Sequence, residues 1–153
     1  MKLVVDASAV LRQLLSRRAH RLLLHPDLDL LTTEHVVEEI ERNLGRRVDT
    51  MVTQGRLTES EGRDLVNAAG NVLTSTLTVV PISLYGEKEA EARLRLEPHC
   101  QDRDWPSVAL CLLMGADGDG IWTEDRDYWG CGCPVWSTSV LQRLLPMDVG
   151  PVT

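Results

Sequence analysis

Leu3, Val4 and Val5 form a short apolar run that stops at Asp6, and from Ala7 onward the apolar positions Ala9, Val10, Leu11, Leu14 and Leu15 shift to helical spacing. The pattern predicts a strand followed at once by a helix. A second short strand is expected over Asp27–Thr32, and the stretch from Glu34 to Leu44 sets Val36, Val37, Ile40 and Leu44 on one helical face, with Gly45 as the expected stop. Thr58-Glu59-Ser60-Glu61 opens a further helix through Leu65, Val66, Ala69 and Leu73, and the β-branched run from Thr78 to Ile82 predicts a third strand. A short helix is expected from Gly86 to Leu96. A stronger one runs from Asp104 to Met114, with Asp104 as its N-cap and Pro106 in its first turn. The turn Asp117-Gly118-Asp119-Gly120 leads into a fourth strand, Pro134-Val135-Trp136 forms a fifth, and Ser137 to Leu145 forms a closing helix. The acidic turn does not continue into the 12-residue ligand pattern of an EF-hand.

Strands that alternate with helices at this spacing imply an α/β fold with a mostly parallel sheet covered on both faces. The chain has 153 residues, 43% apolar and 25% charged, which fits one globular domain over residues 1–145 and a tail over 146–153. Disorder, collagen and coiled coil are excluded by that composition.

The apolar start of the chain meets Asp6 after three residues, so no signal-peptide core is expected there. The longest apolar run, Val108 to Met114, is far below the ~18 residues of a membrane helix. A soluble, cytoplasmic protein without a membrane partner is the expectation. Its four cysteines are too few and too irregular for a secreted disulfide scaffold; Cys131-Gly132-Cys133 offers a zinc pair or simply free thiols.

Net charge is -7, and it is unevenly spread: residues 1–64 hold 10 Lys/Arg against 11 Asp/Glu, residues 65–153 hold 6 against 12. The chain as a whole repels polyanions, so any nucleic-acid contact needs a local basic strip or a bound cation. In open parallel sheets, ligands bind beyond the carboxyl ends of the strands. Asp6 ends the first strand and Asp125 follows the fourth, while Asp104 opens a helix that can reach the same edge. Helix capping, worth ~1 kcal/mol, is the competing role for Asp6 and Asp104. Glu38, Glu39 and Glu41 lie around one apolar stripe, and periodicity alone does not choose among them.

Val4-Val5-Asp6-Ala7-Ser8, Glu39-Ile40, Asp104-Trp105-Pro106-Ser107-Val108-Ala109-Leu110 and Thr123-Glu124-Asp125-Arg126-Asp127-Tyr128 together resemble the PIN-domain family, in the right order across residues 3 to 128. The resemblance implies a three-layer α/β/α sandwich around a five-stranded parallel sheet. It implies a metal-dependent nuclease, commonly an RNase, and often a toxin of a toxin–antitoxin pair. By the same resemblance Asp6, Glu39, Asp104 and Asp125 are the acidic cluster, with Asp127 as a fifth carboxylate and Ser8 and Thr123 as the small hydroxyl residues beside it. Residues 48 to 80 carry little of the family's pattern, so the substrate does not transfer.

Four carboxylates around one crevice repel one another and take up protons unless cations neutralise them, and hard oxygen donors suit Mg²⁺ or Mn²⁺. With such a cation, the resemblance implies phosphodiester hydrolysis by an endoribonuclease as the activity. Arg17, Arg18 and Arg21, with Arg42, Arg46 and Arg47, are the expected RNA contacts, as against an ordinary solvated face. Trp105, Trp122, Trp129 and Trp136 divide between core and base stacking. The expected partners are RNA, an antitoxin protein and a second copy of the chain. A non-catalytic PIN-fold module that binds RNA or protein is the alternative, and a phosphoaspartate enzyme fits less well because Asp6-Ala7-Ser8 lacks a second acid.

Overall fold

The computed structural model describes residues 1–15 and 20–145. Five strands, β1 (Lys2–Val5), β2 (Asp29–Thr33), β3 (Leu77–Val80), β4 (Gly120–Trp122) and β5 (Val135–Trp136), form one sheet in the order β3-β2-β1-β4-β5. Every neighbouring pair is parallel. The helices are α1 (Ala7–Leu15), α2 (His20–Leu23), α3 (Glu34–Thr53), α4 (Glu59–Thr76), α5 (Ile82–Tyr85), α6 (Glu89–Leu94), α7 (Gln101–Met114) and α8 (Thr138–Leu144).

Alternate residues of the central strands enter two separate cores, as the period-2 geometry of a strand requires. Leu3, Val5, Leu30 and Trp122 pack with α1, α3 and α8 on one face. Val4 and Ile121 pack with α6 and α7 on the other. This is the three-layer α/β/α sandwich, with Leu3, Val4 and Val5 of β1 and all of β4 buried. The chain runs from β1 outward through β2 to β3, then returns to the other side of β1 for β4 and β5. The strand order therefore reverses between β1 and β4, and in open parallel sheets the carboxyl ends of the strands at such a reversal are where ligands bind.

Three sequence expectations are corrected. Helix α3 does not stop at Gly45 but continues to Thr53. A glycine inside a helix costs only about 1 kcal/mol, and Val48 and Val52 beyond it pack against α4, where Gly62 lets the helices approach: a Cβ at Gly62 would lie 3.0 Å from Val48. Helix α7 begins at Gln101, so Asp104 is not its N-cap. The Asp104 N–H already donates to the Cys100 carbonyl at 3.0 Å, which places Asp104 in the first turn and Pro106 beyond it. The third strand ends at Val80, and Ile82 starts α5 after Pro81.

The acidic turn before β4 is structural at Asp119, whose carboxylate accepts from the Lys2 N–H at 2.7 Å. Gly120 follows at φ 118°, and a Cβ there would come within 2.2 Å of the Pro134 carbonyl oxygen, so only glycine lets β4 start against the segment entering β5. Arg17, Arg18 and the tail 146–153 lie outside the described residues. Among the described residues no helix is long and apolar enough to cross a membrane.

Candidate active site

Asp6 leaves β1 at the reversal point and is only 6% exposed. Its Oδ2 accepts from the Ser8 N–H at 3.2 Å, the Ser8 hydroxyl at 2.6 Å and the Thr123 hydroxyl at 3.0 Å, and its Oδ1 accepts from the Tyr128 hydroxyl at 2.9 Å. Ser8 Oγ and Thr123 Oγ1 lie 3.1 Å apart. Each has one proton and both give it to Asp6, so the contact between them is a close approach enforced by their shared acceptor. Their lone pairs are used as well: Ser8 Oγ accepts from the Glu124 N–H and Thr123 Oγ1 from the Asp125 N–H. The two hydroxyls thus join the end of β1 to the loop after β4.

That loop carries two acids in a tight turn, in which the Asp127 N–H donates to Asp125 Oδ1 at 2.9 Å. Glu124, between Thr123 and Asp125, points elsewhere. It accepts from the Thr138 N–H at the start of α8 at 2.7 Å and pairs with Arg12 at 2.6 Å.

Asp104 enters from the first turn of α7 and is 4% exposed. Ligand oxygens of Asp104, Asp125 and Asp127 all lie within 4.8 Å of one another. Arg103 sits among them. Its Nε and Nη2 donate to the two oxygens of Asp104 at 3.0 and 3.2 Å, and Nη2 also reaches Asp127 at 3.0 Å and Asp125 at 3.6 Å. The paired acids push the Arg103 pKa further up. Burial pushes the Asp104 carboxyl up, Arg103 opposes that shift, and the charges of Asp6 and Asp125 add to it.

Glu39 is the acid of α3 that faces the others; Glu38 and Glu41 are exposed. Burial raises its pKa first, and the charges of Asp6 and Asp104 raise it further, against His35 and Arg103. Asn43, one turn on, approaches Glu39 Oε1 at 3.5 Å. Asp6 and Glu39 thus stand near the Asp104–Asp125–Asp127 trio, close enough for their charges to be felt there, and the acids are held by two means: hydroxyls hold Asp6 and a guanidinium holds the trio, while Glu39 is held by neither.

Sequence reasoning missed Arg103 and Tyr128. Tyr128 lies inside one of the segments that carried the family resemblance and Arg103 directly precedes another, but their partners are set by the approach of the loop after β4 to the end of β1 and to α7. The Tyr128 hydroxyl is buried beside Asp6 and Asp104, and desolvation, then those charges, drive its pKa well up, so it remains a proton donor. Of the tryptophans, Trp122 and Trp105 are core, and Trp129 is 68% exposed with Arg126 over its ring at 5.5 Å. Cys131 and Cys133 are free thiols beside Cys111, and the Cys133 pKa is pushed up to about 12, chiefly by its contact with Cys111.

The donor set fits a hard divalent cation. It consists of carboxylate oxygens, three of them already mutually close, and two of its acids have pKa values raised by burial and like charge, the state a cation relieves. The arrangement can hold metal and, through it, an anion.

The PIN domain family model matches residues 4–145. Among solved structures, the chain resembles VapC20 of Mycobacterium tuberculosis, described as a Sarcin-Ricin loop cleaving toxin, with a TM-score of 0.55 and 22% identity over 86% of this chain and 96% of that one. No curated protein matches it. With the family model spanning nearly its whole length and all-parallel sheet topology around a crevice of acids, the chain belongs to the PIN-domain family.

Proposed function

We propose that the chain is an endoribonuclease that hydrolyses phosphodiester bonds with Mg²⁺ or Mn²⁺, and that it acts as a toxin neutralised by an antitoxin protein. The observation that carries the catalytic reading is the Asp104–Asp125–Asp127 trio with Glu39 and Asp6 around it. Membership of the PIN-domain family supports nuclease chemistry, and the likeness to VapC20, named as a toxin that cleaves the Sarcin-Ricin loop, supports RNA as substrate and the toxin role.

Asp104, Asp125, Asp127, Asp6 and Glu39 would hold the cation. When bound, it would activate a water for attack and offset charge on the leaving oxygen. The residues of the chain do the rest. Ser8, Thr123 and Tyr128 fix both oxygens of Asp6, so its orientation costs nothing at the moment of reaction. Glu39 is free to accept a proton at its carboxylate or to complete the ligand set. With a cation among its acids, Arg103 would no longer be needed to neutralise them, and its half-exposed guanidinium would meet a phosphate.

RNA would lie in a groove of about 670 Å³ that starts at Asn43, beside Glu39, and is lined by Arg46, Arg47 and Arg56 with no carboxylate among its described residues. In a protein of net charge -7 this is the local basic strip that phosphates require. Arg21 is exposed on α2 and extends the same role to the end of the first helical segment. Trp129, close in sequence to Asp127, offers a stacking face for a base.

The test is cleavage of single-stranded RNA by the purified chain with Mg²⁺ or Mn²⁺, with EDTA, and with Asp104→Asn. Cleavage that needs metal and falls at least about 100-fold in the variant supports the reading. Full cleavage in EDTA would overturn it, and RNA bound without cleavage under any metal would leave the non-catalytic binding module.

A further inference from the structure

Asp127 belongs to a second set of ligands. His99 Nε2, Cys100 Sγ and an Asp127 oxygen all lie within 4.8 Å of one another, in the turn that precedes α7 and the turn that follows β4. His99 Nε2 stands 3.7 Å from Asp127 Oδ1, too far for a hydrogen bond between them.

An imidazole, a thiol and one carboxylate are a poor set for Mg²⁺, which takes oxygen, and a good one for Zn²⁺. Bonds of about 2.3 Å to sulfur and 2.0–2.1 Å to nitrogen or oxygen in a tetrahedron separate ligand atoms by roughly 3.3–3.6 Å. The His99–Asp127 pair is already near that spacing, and the His99 side chain is 69% exposed, free to swing inward. We propose that His99, Cys100 and Asp127 bind one Zn²⁺ ion, with the fourth position open to water, at a site distinct from the hard-cation cluster and joined to it through Asp127.

On binding, the Cys100 S–H bond breaks, a Zn–S bond forms and the proton leaves to solvent, with no change of oxidation state. Cys100 Sγ gives up its contact to the Glu97 carbonyl at 3.1 Å, but that carbonyl keeps the Cys100 N–H at 3.0 Å. Burial and the charges of Asp104 and Asp127 hold the metal-free thiol protonated. Those charges, which Arg103 pairs in the metal-free protein, would draw in the Zn²⁺, which supplies the counter-charge the thiolate lacks. The shared Asp127 couples the two sites: an ion that takes Asp127 for Zn²⁺ withdraws one ligand from the acidic trio, and by reciprocity Mn²⁺ and Zn²⁺ weaken each other.

The inference is independent of the nuclease reading, and its test uses no RNA. The full chain is titrated with Co²⁺ as a spectroscopic probe for Zn²⁺. A thiolate-to-cobalt charge-transfer band that saturates at one equivalent and is erased by Zn²⁺ is expected. Cys100→Ala should abolish the band, and Asp104→Asn, which disables the hard-cation cluster, should keep it. His99→Ala, at an exposed side chain that does not bear on folding, should lower Zn²⁺ affinity by more than the roughly 10–100-fold that loss of an outer-sphere partner causes. Absence of the band, its survival in Cys100→Ala, which would assign it to Cys111, Cys131 and Cys133, or unchanged affinity in His99→Ala would each overturn the proposal.

Discussion

Arg103 donates through Nε and Nη2 to the two oxygens of Asp104, its own neighbour in the chain, at 3.0 and 3.2 Å. Adjacent residues on a helix do not ordinarily face one another. The pair forms here because Asp104 is buried at the crevice and Asp125 and Asp127 draw the half-exposed guanidinium back over it. The metal-free crevice thus carries its own cation, tethered to one of the ligands it neutralises.

Arg103→Met should therefore destabilise the protein most when metal is absent. Removing one partner of a buried ion pair costs several kcal/mol, and screening of a side chain 52% exposed reduces this to about 1–2 kcal/mol. Urea unfolding in EDTA and in Mn²⁺ measures both states. The deficit is expected to shrink in Mn²⁺, where the ion replaces the guanidinium. A deficit of equal size in both would mean that Arg103 does not occupy the place where a cation acts.

Glu39 gives a pH dependence of defined sign. Its folded pKa is raised above the ordinary 4.5 by burial and by Asp6 and Asp104, so between the unfolded and folded pKa values the native state binds more protons than the unfolded state. Stability then falls as pH rises through that window, and the penalty is complete above the folded pKa. Glu39→Gln should raise the metal-free melting temperature at pH 7, and the advantage should fade as pH drops below 4.5. With Mn²⁺ the order should reverse, because the wild-type carboxylate then has a cation to face. A variant no more stable than the parent in EDTA at pH 7 would contradict this.

Tyr128→Phe tests the clamp on Asp6. The variant keeps the ring and removes the O–H that donates to Oδ1 at 2.9 Å, leaving a buried carboxylate oxygen without that partner. Hydrogen bonds to charged groups contribute about 1.5–3 kcal/mol, so a loss of that order in unfolding free energy is expected, with a drop in RNA cleavage beyond what the lost stability explains. Cleavage at the parent rate by folded Tyr128→Phe would show that Asp6 needs no fixing on that side.

The sheet and most of the crevice were legible from local signals. Asp6 and Asp125 follow apolar runs, and Asp104 opens a helical pattern, so their arrival at one edge follows from parallel topology. Helical periodicity did not separate Glu39 from Glu38 and Glu41; the family resemblance chose it, and the physical reason is which side of α3 meets β2 and α7, a tertiary fact that periodicity does not contain. The path of α3 through Gly45 was illegible for a related reason: the stop signal is local, whereas the packing of Val48 and Val52 on α4 that overrides it is not. Arg103 and His99 were unread because charged and polar residues beside a helix start ordinarily face solvent, and only the approach of the loop after β4 gives them partners.

The basic groove along α3 makes the last prediction. Arg46, Arg47 and Arg56 line it without a compensating acid, and Asn43 joins it to Glu39, so a strand whose phosphates follow the groove delivers a phosphodiester to the acids. Binding to a chain of net charge -7 depends on these few cations, and each phosphate contact contributes about 0.7–0.9 to the slope of log K against log salt. The triple variant Arg46→Ala, Arg47→Ala, Arg56→Ala should bind single-stranded RNA more weakly at low salt, with the slope flattened by roughly two to three. Its Mn²⁺ affinity by calorimetry should match the parent, because none of the three touches the acidic trio. If the triple variant keeps the parent's RNA affinity and slope, the phosphates run elsewhere, and Arg21 and Arg126 become the residues to replace.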